Sequence, residues 1–185
     1  MADRSTEGSD AELVRALAEG SGDAMAALYR RHGGLVYRFC LRASQDQSIA
    51  EEATQDAFLI LLKDAARFDA RLASLSTWLC GIARRLVWKQ LERRQRLVSI
   101  DDEAGDFETP DDDPGVQLSR QQAVDAVQRG IASLPLDARE VIVLCEFEEM
   151  SYEEAAIVLG VPIGTVRSRL HRAKNRLAGL LRGSL

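Results

Sequence analysis

The densest recognition chemistry in the chain lies near its C-terminal end. From Thr165 to Leu185 there are six cations, Arg167, Arg169, Arg172, Lys174, Arg176 and Arg182, and no acid. As one helix, this stretch places Val166, Leu170, Ala173 and Leu177 within about 60° of one another, a core stripe. The far side then carries Ser168, His171, Arg172 and Asn175, flanked by Thr165, Arg167 and Lys174. Hydroxyl, imidazole and guanidinium groups near the start of a helix suit base edges in a major groove, and the cationic flank suits phosphates. The preceding residues read as helix, tight turn, helix. Ser151 and Glu154 form a capping box, Ala156 permits a close crossing, and Gly160 supplies the left-handed turn residue. A solvated basic helix end would account for the cations through the helix dipole. It would not account for the turn spacing or for the missing acids.

A second basic run has a different character. Arg84, Arg85, Lys89, Arg93, Arg94 and Arg96 stand against a lone Glu92, with Trp88 among them. An aromatic interleaved with cations fits single-stranded nucleic acid, where bases stack and phosphates pair. The competing reading is a half-buried Trp in a basic helix end. Other chemistry is missing. Cys40, Cys80 and Cys145 are far apart and form no C-x-x-C, and His32 and His171 have no metal-ligand spacing with them. The cysteines read as small apolar residues. With no Gly-rich phosphate loop and no Ser-His-Asp arrangement either, the expectation is a non-enzyme with no metal and no cofactor.

The elements that must position these groups are helices. The 185 residues are 46% hydrophobic and only 5% aromatic, with a net charge of −5. Taken as a sum, that charge argues against a nucleic-acid partner, but it is concentrated. Residues 97–119 hold eight acids, Asp101, Asp102, Glu103, Asp106, Glu108, Asp111, Asp112 and Asp113, and no base. Pro110, Pro114, Gly105 and Gly115 lie in the same segment, which reads as a flexible acidic linker. Before it, capping boxes at Ser9–Glu12 and Ser48–Glu51 predict helix starts, and Gly20 a stop. Phe58, Leu61, Leu62 and Ala65 form an inner stripe, opposite Glu52, Asp56, Leu59 and Lys63. Ser76 is the expected cap of a helix with Trp78, Leu79, Ile82 and Leu86 inside. Beyond the linker, Val124, Val127, Ile131 and Leu134 recur at helical spacing up to Pro135, and Asp137-x-x-Glu140 opens the next helix. The expected fold is all-α, with two small helical domains at 10–96 and 118–182 joined by a linker at 97–117. No signal pattern or membrane-length apolar run is present, so a cytoplasmic protein is expected.

These two bodies in this order resemble the extracytoplasmic-function (group 4) sigma factors of bacterial RNA polymerase. The resemblance rests on Ala53-Thr54-Gln55-Asp56-Ala57-Phe58 with Arg67-Phe68 (region 2.2), and on Thr77-Trp78-Leu79-x-x-Ile82-Ala83-Arg84 (region 2.3). In region 4 it rests on Leu134-Pro135-x-x-x-Arg139 and on the run from Tyr152 through Gly160-Val161-Pro162-x-Gly164-Thr165-Val166-Arg167-Ser168-Arg169-Leu170-x-Arg172-Ala173. The resemblance implies promoter-specific initiation with core RNA polymerase, promoter DNA and an anti-sigma factor as partners. It implies that Glu52, Asp56, Leu59 and Lys63 meet the β′ clamp helices, and that the region 4 body meets the β flap. The −35 element would be read by Thr165, Arg167, Ser168, His171, Arg172 and Lys174. The melted −10 strand would be held by Phe68 and Ser74 in the loop before region 2.3 and by Arg84, Arg85, Trp88 and Lys89. The family often has Asn and Asp where this chain has Arg85 and Lys89, a departure that bears on the −10 contacts and not on the fold. The acidic linker would either mimic an RNA backbone on the polymerase or merely solubilise. A stand-alone helix-turn-helix regulator is the alternative, but it leaves the Trp78–Arg96 stretch and region 2.2 unexplained.

Overall fold

Helix ends in this chain follow from short-range hydrogen bonds. Residues 8–98 and 118–182 are described in a computed structural model, and the described residues are helical almost throughout. Four helices make up the first body: α1 (Asp10–Ala18), α2 (Gly22–Ser44), α3 (Gln47–Asp64) and α4 (Leu75–Val98). The second has α5 (Leu118–Ala132), α6 (Leu136–Ile142), α7 (Tyr152–Leu159) and α8 (Ile163–Arg182). Ser9 and Glu12 form the full reciprocal capping box at α1, and Ser151 and Glu154 form another at α7. Gly160 takes φ 66°, the left-handed conformation that lets α8 follow α7 after a turn of three residues.

Two expected caps are displaced. The start of α3 is capped by Asp46, whose side chain accepts from the Ile49 amide at 2.9 Å, and not by Ser48. The reason is the end of α2, where Gln45 at φ 60° turns the chain and delivers Asp46 to the cap position directly. At α4 the cap is Ser74, which accepts from the Thr77 amide at 3.2 Å, and Ser76 lies inside the helix. The helix after Pro135 starts at Leu136, with Pro135 itself at the cap position, so Asp137 and Glu140 do not form its opening box.

In the first body α2, α3 and α4 pack mutually. Phe39, Leu28, Val36, Phe58, Leu61, Leu79 and Val87 fill the interior, and Ala43, Ala50, Ala53, Ala57 and Ala83 keep the helix axes close. Leu62 does not join the stripe; it is 48% exposed beside Leu59. Val124 is likewise on the surface, at 43% exposed. Cys40 and Cys80 are buried and Cys145 half-buried. In the second body Leu134, Val141, Val143, Leu144, Ala155, Val158, Leu159, Val166, Leu170 and Ala173 form the interior.

Arg139 ties this second body together. Its guanidinium donates to the Ile131, Ala132 and Leu134 carbonyls, satisfying the end of α5, and reaches the Ala43 carbonyl of α2 at 2.8 Å. That is the structural content of the Leu134-Pro135-x-x-x-Arg139 spacing. The two bodies also touch elsewhere. α6 and the π-helical turn Val143–Phe147 lie on α2, and α7 lies on α4, so the apolar interior runs across both. The acidic segment, with its eight carboxylates, lies outside the described residues. No helix among the described residues is long and apolar enough to cross a membrane.

Candidate nucleic-acid interface

Helix α8 is laid down by its inner stripe. Val166, Leu170 and Ala173 are buried and Leu177 is half-buried, which turns Arg167, Ser168, His171, Arg172, Lys174 and Asn175 outward, with Thr165 half-buried at the edge. Several of these side chains are held by neighbours. Ser168 Oγ donates to the Thr165 carbonyl at 3.1 Å, and Arg172 Nε to the Ser168 carbonyl at 3.2 Å. His171 Nε2 is 3.0 Å from the Asn175 amide, and the Arg167 guanidinium stands over the Tyr152 ring at 5.9 Å. Lys174 lies 2.8 Å from Glu146, whose hydrogen bond pushes the ammonium pKa up. The polar reading face is therefore a single outward surface, with Lys174 already paired to a carboxylate.

The polar face of α3 also faces outward. Glu52 and Lys63 are exposed, Asp56 is half-buried, and Leu59 is 40% exposed. Sequence reasoning missed its apolar neighbours. Leu62 and Tyr29 are exposed alongside Leu59, and a groove of about 540 Å³ beside them is lined by Met25, Tyr29, Tyr37, Phe58, Leu59 and Glu51. Leu59 is thus part of an apolar patch and not an isolated residue.

The single-strand set is divided. Arg85 and Lys89 are exposed, and Phe68 is half-buried with its ring edge-on to Trp78 at 6.0 Å. Ser74 hydrogen-bonds Thr77 Oγ1 at 2.8 Å and the Glu154 carboxylate of α7 at 3.2 Å. Trp88 is half-buried, as the blander sequence reading had it, and its indole Nε1 donates to Glu140 Oε1 at 2.6 Å. Arg84 makes an ion pair with the same oxygen at 3.0 Å while its guanidinium lies over the Trp88 ring at 5.5 Å. Glu140 itself is fully buried, and its other oxygen has no hydrogen-bond partner. Burial pushes its carboxyl pKa up against the opposing pull of Arg84 and Trp88. A second carboxylate, Glu148, has its side chain 1% exposed and accepts from Arg38 at 2.9 Å and Arg42 at 2.7 Å. The left-handed Glu149 at φ 53° follows it directly. Glu148, Arg38 and Arg42 carry no motif signal in the sequence, and Glu140 and Glu154 are marked there only as helix-start residues; all five act across the two bodies.

A turn at Gly160 between α7 and α8, an outward polar and basic face on α8 and a basic helix bearing Trp88 in the other helical body define an all-α protein of the helix-turn-helix class. Comparison with known proteins narrows this. Residues 28–97 match the family described as Sigma-70 region 2, and residues 125–177 match Sigma-70, region 4. The ECF RNA polymerase sigma factor SigE of Mycolicibacterium smegmatis is 33% identical over 183 residues, covering 95% of this chain and 70% of that protein. The ECF RNA polymerase sigma factor SigC of Mycobacterium tuberculosis is 34% identical, covering 91% of each chain. Among solved structures, the sigma factor RpoE in complex with the anti-sigma factor NepR from Bartonella quintana has a TM-score of 0.68 at 27% identity, covering 83% of this chain and 94% of that one. CnrH in complex with the cytosolic domain of CnrY has a TM-score of 0.70 at 25% identity, covering 95% and 99%. The chain belongs to the extracytoplasmic-function sigma factors of the sigma-70 family.

Proposed function

We propose that this chain programmes core RNA polymerase for promoter-specific initiation, with α8 reading the −35 duplex, α3 docking on the polymerase and the loop–α4 unit holding the melted −10 strand. The observation that carries this is the outward face of α8, where Arg167, Ser168, His171 and Arg172 share one surface beside a buried stripe. Such a face can enter a major groove, with guanidinium groups for guanine edges or phosphates. Leu59, in its exposed patch with Glu52, Asp56 and Lys63 around it, supplies the apolar anchor for the β′ clamp helices. The region 4 body would meet the β flap. Arg85 and Lys89 are placed to receive phosphates, and Arg84 and Trp88 join them once Glu140 leaves. Promoter opening is then a binding reaction: strand contacts offset the few kcal/mol lost per unstacked step, and this chain makes or breaks no bond. The protein acts with the polymerase in the cytoplasm, and an anti-sigma factor is a further partner, as NepR is for the similar RpoE of Bartonella quintana.

The test is initiation by purified chain and core polymerase on a promoter library, with run-off mapping. Starts at one defined promoter class support the reading. Binding of DNA without core and without restored initiation would instead identify a stand-alone helix-turn-helix regulator. Within the same assay, Leu59→Asp is expected to weaken capture of core at least about tenfold, since a charge replaces an apolar anchor in the patch. Its affinity for −35 duplex should not change. Core capture equal to that of the unaltered chain would remove α3 from the interface.

A further inference from the structure

The contacts between the two bodies fall on the surface that the melted strand needs. Arg84 and Trp88 point their polar atoms at one oxygen of Glu140 on α6, and Ser74 and Thr77 both lie 3.2 Å from the Glu154 carboxylate on α7. A carboxylate that accepts from an indole N–H and faces a guanidinium presents to this surface the chemistry of a phosphate oxygen. We propose that the closed chain occupies its own single-strand surface, with Glu140 standing on Arg84 and Trp88 where a phosphate of the melted −10 strand would sit, and that opening of the two bodies is what uncovers it. The proposal rests on the assignment of Arg84 and Trp88 to strand contacts made above.

The geometry also says why the latch can open. Glu140 is fully buried, yet one of its oxygens accepts only the Trp88 indole N–H, with Arg84 Nε at ion-pair distance but without hydrogen-bond geometry, and the other oxygen accepts nothing. A buried carboxylate with an orphaned oxygen recovers little of its desolvation cost, so this contact selects the closed arrangement without making it deep. The second point of closure, Glu148 on Arg38 and Arg42, touches α2 and leaves the strand surface alone. Closure is therefore separable from occupancy: one carboxylate sits on the strand surface, and the other only holds the bodies together.

The test uses the full chain and a labelled single-stranded DNA of mixed sequence. Glu140→Gln keeps the shape and an acceptor for Trp88 but removes the charge opposite Arg84. It is expected to tighten binding of this DNA by the free chain about tenfold, the scale of one well-placed charge contact. Glu148→Gln should tighten it as well, by a smaller factor, because it loosens closure without altering the strand surface. A gain with Glu140→Gln alone would mean only that a negative charge near DNA had been removed, and would overturn the latch. With core polymerase present, both variants should start transcription as the unaltered chain does. An unchanged affinity for both variants, with circular dichroism showing them folded, would also overturn it. Arg84→Ala and Trp88→Ala, assayed in the holoenzyme, separate the two levels of the proposal. Impaired promoter opening there supports the strand assignment even if the latch fails, whereas normal opening removes the assignment and the latch with it.

Discussion

At the scale of single residues, exposure and partner decide what a side chain can do. Arg172 is exposed on α8 with only its Nε engaged, by the Ser168 carbonyl, so the rest of its guanidinium remains directed outward. Arg172→Ala is expected to cost about 1–3 kcal/mol of binding to the −35 duplex. Gel-shift competition checks this. A loss confined to the specific duplex makes Arg172 a base reader, and an equal loss on random DNA makes it a phosphate contact. The cysteines illustrate the opposite case. Burial pushes the Cys40 thiol up to about 12 and the half-buried Cys145 to about 11, and it pushes Cys80 up as well. Thiolate is the reactive form, so all three are poor nucleophiles near neutral pH. In a timed reaction with a chromogenic disulfide, Cys145 is expected to react first, and Cys40 and Cys80 only as the chain unfolds. Rapid labelling of all three in native buffer would contradict this burial.

At the scale of elements, the first question is where each helix starts. Asp46 caps α3 through the Ile49 amide and also pairs with Arg94 of α4. The amide bond and the Arg94 pair hold its carboxyl below the ordinary 3.8, with burial opposing. A depressed carboxyl contributes stability that is complete above 3.8 and is lost as pH falls through that value towards the lower folded one. Asp46→Ala should therefore cost about 1 kcal/mol near neutrality. The gap from the unaltered chain should shrink in urea titrations as pH is taken below 3.8, where the contribution of the carboxylate is progressively lost. A gap that stays constant with pH would assign the loss to packing. The same elements mark the limit of what the sequence makes legible. The boxes at Ser9 and Ser151 were readable because cap and partner lie three residues apart. The choice of Asp46 over Ser48, and of Ser74 over Ser76, was not. Two candidates stand two residues apart in each case, and at α3 the conformation of Gln45 at the end of the previous helix selects between them. The face of α8 was legible from periodicity alone. Glu140 was not, because its partner Trp88 is 52 residues away and no local pattern marks a carboxylate for burial.

At the scale of the whole molecule, the net charge of −5 says little about binding, since the eight acids of residues 97–119 outweigh two bodies that each end in a basic run. What matters more is how the bodies hold each other. Their apolar interior is continuous, since α6 lies on α2 and α7 on α4 and the buried side chains form one cluster. The contact is polar at its edges: Glu148 between Arg38 and Arg42, Arg139 on the Ala43 carbonyl, and Glu140 on Arg84 and Trp88. Among these, Glu148 is the point of greatest leverage. Its side chain is nearly inaccessible and its two cations come from α2, so removing both leaves a buried charge without either partner. Breaking a buried pair in this way costs about 3–5 kcal/mol, a cost that is relieved if the bodies part at this edge and water reaches the carboxylate. The double substitution Arg38→Ala and Arg42→Ala should therefore open the chain instead of unfolding it. Small-angle scattering should report a larger radius of gyration, and calorimetry should resolve two unfolding transitions where the unaltered chain has one. Unchanged scattering would mean that the packing of α7 on α4 closes the molecule by itself, with the three polar contacts only adjusting the fit.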